Sequence, residues 1–134
     1  MVVPYVYLWR RQHEAGEESG RKTRPCLIVI ARASAQNERV RVAVCPLTTQ
    51  PPDTARAAIE VPPRVITHLR LTARRSWVIC DEYNEFDWPD VDLETTPSGN
   101  MSYGFMPDAF IEQVRGELRA ARVRGALKNV PRTD

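Results

Sequence analysis

The sequence predicts a mainly β fold: a small antiparallel sheet, most economically a curled one, whose open side is covered by one C-terminal helix. Three observations predict it. Short runs rich in valine, isoleucine and aromatic residues recur through the first two thirds of the chain, clusters of Gly, Pro, Asn and Asp separate them, and a helical period shows clearly only near the end. At 134 residues the chain is long enough for one hydrophobic core, no linker-like tract divides it, and one domain over 1–134 is expected.

The elements follow in order. Tyr5-Val6-Tyr7-Leu8-Trp9 reads as a first strand, and the charged stretch Arg10 to Lys22, containing Gly16 and Gly20, as a long loop. Cys26 to Ala31 is an apolar run suited to a buried strand, and Ser34 to Glu38 is a turn. Val40, Val42 and Val44 then alternate with Arg41, Ala43 and Cys45 in the period of a strand that runs into Pro46-Leu47-Thr48-Thr49. Gln50-Pro51-Pro52-Asp53 breaks regular structure, Ala57 to Val61 forms a short strand, and Pro62-Pro63 opens one or two helical turns through Leu69. Ser76 to Tyr83 is the next strand, followed by an irregular segment from Phe86 to Asn100. Pro107 and Asp108 suit a helix start, and Phe110, Ile111, Val114, Leu118 and Ala121 recur at helical spacing. Gly116 inside that helix suggests a close approach to the sheet, and the tail frays beyond Gly125, from about 126.

Charge and cysteine usage narrow the function classes. The formal net charge of +2 is too small to mark a nucleic-acid binder by total charge, so position matters more than sum. Arg10, Arg11, Arg21, Lys22 and Arg24 surround the first loop, whereas Asp81, Glu82, Glu85, Asp87, Asp90, Asp92 and Glu94 form an acidic stretch without lysine or arginine. The cysteines Cys26, Cys45 and Cys80 lie inside apolar runs at spacings that match neither a zinc site nor a redox pair, and read as buried thiols. Neither metal nor cofactor is expected. Met1-Val2-Val3-Pro4-Tyr5 lacks the pattern of a secretory leader and no run approaches a membrane span, so the expected compartment is the cytoplasm.

The most informative stretch is Gly20-Arg21-Lys22-Thr23-Arg24-Pro25, which plants Arg24 at the mouth of the Cys26 strand, where its planar donors can meet a phosphate or carboxylate. Lys22-Thr23-Arg24-Pro25-Cys26-Leu27-Ile28-Val29 resembles the Gly-x-Arg-Pro-Val-Leu-Val-Val signature of the MazF/PemK (Kid) type of growth-inhibiting toxins, in the superfamily that includes the gyrase poison CcdB. Val42 to Thr49 resembles that family's second signature, a strand ending in Pro-Leu-Thr-Ser. Ser76 to Glu82 and Tyr103-Gly104-Phe105-Met106 resemble its later segments, and the ordered set spans most of the chain.

The resemblance implies an SH3-like small barrel of antiparallel strands with a C-terminal α-helix packed on it, and a ribosome-independent, metal-independent endoribonuclease acting on single-stranded RNA. Such cleavage needs a base for the ribose 2'-hydroxyl, donors for the charged phosphorane and an acid for the leaving 5'-oxygen. By resemblance Arg24 supplies the donors, and Thr48 hydrogen-bonds the scissile phosphate beside it. The base stays open among His13, Glu18 and their loop neighbours Glu14 and Glu17, with Asp81 as a further catalytic candidate. In a subset of the family the residue equivalent to Asp81 works with an arginine two positions earlier, where this chain has Ile79. Arg74 and Arg75 lie near, at the strand's other end. Arg21, Lys22 and Thr49 are the RNA-binding candidates.

The acidic segment Glu82 to Gly99, with Tyr83, Phe86 and Trp88, suits a protein-facing surface or a solvated loop better than an RNA surface, because its carboxylates repel phosphate. The resemblance further implies a homodimer and a cognate antitoxin whose acidic C-terminal segment competes with RNA for the basic rim. Two other function classes are distinct from this one: a non-catalytic module that binds protein or nucleic acid, suggested by Ile79, and a CcdB-like gyrase inhibitor in which Arg24 has no part.

Overall fold

The computed structural model describes residues 1–10, 23–33, 39–88 and 93–131. The elements run β1 (Val2–Val6), β2 (Thr23–Ala33), β3 (Val40–Thr48), β4 (Ala58–Glu60), α1 (Pro63–His68), β5 (Trp77–Ile79), β6 (Glu82–Trp88), α2 (Asp108–Val123) and β7 (Lys128–Pro131). They form a mainly antiparallel seven-stranded sheet in the order β1-β2-β3-β5-β4, with β6 also on β3 and β7 on β6.

Strand β3 organises the sheet. Along one edge it pairs with β2, from Cys26↔Pro46 to Ala33↔Val40. Its other edge is divided, with Val40 to Val44 on β6 and Leu47 and Thr48 on β5. The division falls at Cys45 and Pro46, where proline has no amide hydrogen to extend a ladder. Because β1, β4 and β7 are outer strands that do not pair with one another, the described strands stay open and do not close into the expected barrel.

The alternation of a strand sends successive side chains to opposite faces, and the two faces bury different cores. Leu27, Val29, Ala43, Cys45 and Leu47 pack with Phe110, Val114 and Leu118 of α2 on one face. Cys26, Val42 and Val44 join Tyr5, Tyr7, Trp9, Ile79 and Phe86 on the other. Tyr5 stacks on Phe86 with ring centroids 4.4 Å apart. All of Cys26, Cys45 and Cys80 are buried free thiols, as their apolar surroundings in the sequence suggest.

Several boundaries differ from the sequence reading for local physical reasons. The first strand occupies Val2–Val6 rather than Tyr5 to Trp9, because the Leu8 backbone is taken by a side chain: its N–H donates to Asn84 Oδ1 (2.8 Å) and its carbonyl accepts from Asn84 Nδ2 (2.8 Å). The strand expected over Ser76 to Tyr83 is two strands, broken at Cys80 and Asp81. Part of the segment read as irregular is ordered: β6 continues to Trp88, and Leu93 bridges Tyr5 at the edge of β1.

Helix α2 starts after Pro107, as read, and ends in a Schellman turn. The Gly125 N–H donates to the Arg122 carbonyl (3.0 Å) and the Ala126 N–H to the Ala121 carbonyl (2.8 Å), with Gly125 at φ +74°. That turn reverses the chain into β7, which lies parallel to β6 where the tail was expected to fray. Val130, buried beside β6, supplies the apolar contact that holds it. Gly116 does not mark a close approach to the sheet: a Cβ there would meet only the Arg119 guanidinium, at 3.9 Å.

Candidate functional site

Proline at position 25 favours extended backbone at the residue before it, and Arg24 lies in β2, opposite Tyr5 of β1. Strand alternation places Arg24 on the face of Cys26, the face of the aromatic core, and its guanidinium carbon rests 4.8 Å from the centre of the Trp9 ring. A guanidinium over the face of an indole is attracted to the ring, which helps to fix its position. The register that pairs Cys26 with Pro46, carried two residues further, leads to Arg24 on one strand and Thr48 on the other.

Thr48 is half-buried, and its Oγ1 accepts the Gln50 N–H (3.2 Å), which leaves the hydroxyl proton to donate elsewhere. Thr49 is exposed and points away from this face. It lines a separate cleft of about 250 Å³ with Thr23, Pro25, Ser76 and Tyr103.

Trp9 is also a wall of a cavity of about 580 Å³, shared with Arg10, Ala55, Arg56, Asp81, Glu82 and the turn leading to Lys128. Its polar centre is an ion cluster. The Arg56 Nε donates to Asp81 Oδ2 (2.9 Å), its Nη2 donates to Asp81 Oδ1 and to Glu82 Oε2 (2.9 Å), and the Ala57 N–H also donates to Asp81 Oδ2 (3.3 Å). The hydrogen bond to Asp81, foremost, holds the Arg56 guanidinium proton more tightly than usual.

The two carboxylates have different environments. Glu82 is buried and takes, on Oε1, the Tyr7 hydroxyl (3.1 Å) and the Arg10 N–H (3.0 Å). Burial, with the Glu82 carboxylate adding to it, pushes the Tyr7 phenol well above its ordinary value of 10.0. Glu82 therefore ties β6 to the segment after β1. Both carboxylates line the cavity, and Asp81, with 14 % of its side chain exposed, is the more accessible of the two.

The sequence reading had no partner for Asp81 once Ile79 stood in the arginine's place, and Arg56 supplies one. Arg75, which lies at the far end of the strand as read, is held by Glu60 (2.8 and 2.9 Å) and stacks on Trp77 at 4.8 Å. His13, Glu18, Arg21 and Lys22 lie outside the described residues. Among the described residues, no group of three or more His, Cys, Asp or Glu side chains is placed to hold a metal ion, and no helix is long and apolar enough to cross a membrane.

An open, mainly antiparallel β sheet backed by a C-terminal helix, with Arg24 over Trp9 and Trp9 walling a charged cavity, defines the class as a small, mainly β protein. The model of the family of PemK-like, MazF-like toxins of type II toxin-antitoxin systems matches residues 5–121. The chain belongs to that family, and membership implies an antitoxin partner. No curated protein and no solved structure matches the chain.

Proposed function

We propose that this toxin is a metal-independent endoribonuclease that cleaves single-stranded RNA by attack of a ribose 2'-hydroxyl on the adjacent phosphodiester. In this reading a base takes the 2'-hydroxyl proton as the 2'-oxygen bonds to phosphorus. The bond to the 5'-oxygen then breaks, and that oxygen leaves with a proton from an acid, giving a 2',3'-cyclic phosphate and a 5'-hydroxyl end. Arg24 donates to the phosphoryl oxygens as charge builds on them, and Thr48 adds a hydroxyl donor from the neighbouring strand. Asp81 is the more accessible carboxylate of the cavity and the candidate there for proton transfer, and His13 and Glu18 are the loop candidates for the same work. Arg21, Lys22 and Thr49 follow the RNA backbone. The protein acts as a cytoplasmic homodimer, and the antitoxin's acidic C-terminal segment competes with RNA for the basic rim.

One observation carries the reading: Arg24 is laid on Trp9, and Trp9 is also a wall of the cavity that holds Asp81. The purified protein, incubated with a long RNA in EDTA, is expected to give discrete ends by primer extension. Arg24→Ala is expected to slow cutting about a hundredfold or more, the usual loss of an oxyanion donor, with unchanged circular dichroism. Absence of cuts by the folded protein across the pH range would sink the enzyme reading.

A further inference from the structure

We propose that Cys45 and Cys80 form a redox-sensitive latch: two facing thiols that a low-molecular-weight disulfide such as oxidised glutathione joins, pinning β5 to β3 where the sheet divides. The pair lies in the core and not in the charged cavity, so the proposal does not depend on the nuclease reading.

The pairing follows from the hydrogen bonds of β5. On its β4 side the Val61 N–H donates to the Ser76 carbonyl and the Cys80 N–H to the Ala57 carbonyl, both at 2.8 Å. Backbone groups of alternate residues in an antiparallel strand bond toward opposite edges. Ser76, Val78 and Cys80 therefore bond toward β4, and Trp77 and Ile79 toward β3. On the β3 side the register pairs Thr48 with Trp77 and Leu47 with Val78. Carried two residues further, it sets Cys45 opposite Cys80, at a position where the strands exchange no hydrogen bond. Such positions bring facing Cα atoms to about 4.5 Å, within the roughly 4.4–6.8 Å that a disulfide spans.

The fork of the sheet leaves this place for the two thiols. Pro46, which the same register sets opposite Ile79, has no amide hydrogen to give, and the ladder between β3 and β5 stops at Leu47↔Val78. From Val44 onward the edge of β3 belongs to β6. Cys45 and Cys80 lie fully buried in one core cluster with Leu47 and Val78, whereas Cys26 belongs to the cluster on the opposite face. After burial itself, Cys80 is the largest influence on the Cys45 thiol, ahead of Cys26.

The joining reaction is thiol–disulfide exchange. One cysteine thiolate attacks a sulfur of oxidised glutathione and expels a glutathione thiolate; the second attacks the mixed disulfide and expels the other. Two protein thiols are oxidised, one glutathione disulfide is reduced, and the two cysteine protons pass to the released thiolates. Burial holds both thiols protonated in the folded chain, so exchange takes place before the sheet closes over them. A chain that folds under reducing conditions keeps two thiols, and one that folds under oxidising conditions is latched. The latch fixes the residue before Asp81, and with it one wall of the charged cavity.

The test refolds the full chain from urea into a mixture of reduced and oxidised glutathione, then alkylates and digests it for mass spectrometry. A Cys45–Cys80 disulfide with Cys26 left as a thiol is expected, and this mapping is made on the wild type. The latched chain is expected to melt at a higher Tm than the reduced chain and to exchange the Val78 and Ile79 amides more slowly. Its disulfide is expected to withstand roughly a hundredfold more reduced glutathione when folded than in urea. Cys26→Ala is expected to keep these gains, and Cys45→Ala and Cys80→Ala to lose them. Joining of Cys26 to either of the others, three free thiols after refolding, or a latched chain less stable than the reduced one overturns the proposal.

Discussion

Arg56 is the residue on which the site's electrostatics turn. It is one guanidinium between two adjacent carboxylates, one of them buried, and it is a third exposed itself. Replacing a buried pair with apolar groups can be neutral, but removing one partner leaves the other uncompensated. Arg56→Ala is therefore expected to lower unfolding free energy by about 3 kcal/mol, measurable by urea titration, and Arg56→Ala/Asp81→Asn to recover part of it. The place of Arg24 near the start of β2 was legible in the sequence because proline and an apolar run follow it directly. Arg56 was not, because it meets Asp81 across 25 positions and no local spacing announces the pair. A signal was present: between Arg41 and Arg64, Arg56 is the lone basic residue, and the acidic pair ahead of it has no neighbouring cation.

At the scale of elements, periodicity located strands and helix while their partners set the boundaries. Helix α2 was readable because Phe110, Val114, Leu118 and Ala121 form one buried stripe. The break at Cys80 and Asp81 was not, since nothing in an apolar run says that β3 will hand over from β5 to β6 at Pro46. A β-bulge in β2, between Ile28 and Ile30, was equally hidden: Cys26 to Ala33 contains no glycine to mark it, and only the partner register reveals it. Within α2, the room around Gly116 has a direct consequence. Alanine there removes backbone freedom from the unfolded chain and meets no close neighbour. Gly116→Ala is expected to stabilise the protein by about 1 kcal/mol, seen as a rise in Tm.

Across the whole molecule, burial of ionisable groups sets an alkaline limit. Desolvation, first, pushes the Cys80 thiol from its usual 9.0 up to about 12. Cys45 and Tyr7, both fully buried, are raised well above 9.0 and 10.0 for the same leading reason. These groups lose protons more readily in the unfolded chain, so the stability they lend is complete below about pH 9 and is lost as pH rises from there toward about 12. The urea midpoint is expected to fall steadily over that window, and Cys80→Ala to make the fall shallower. A thiol reagent at neutral pH is expected to label none of the cysteines before unfolding. The overall class, a β sheet with one C-terminal helix, was legible because each apolar run is too short for anything but a strand. Closure of the sheet was not, because it depends on which outer strands meet, and no single segment encodes that.

The parallel strand β7 also bears on the order in which the molecule can be completed. Its Lys128 N–H donates to the Asp81 carbonyl (3.0 Å), the Asn84 amide donates to the Val130 carbonyl (3.3 Å), and the turn before it walls the cavity behind Trp9. Arg24, Thr48, Arg56 and Asp81 all precede that wall in the chain. A ribosome translating this protein therefore makes every one of those groups before it makes the segment that encloses their cavity. The cavity behind Trp9 is finished only after α2 has emerged and turned back, which ties its assembly to the last stage of synthesis of the described fold.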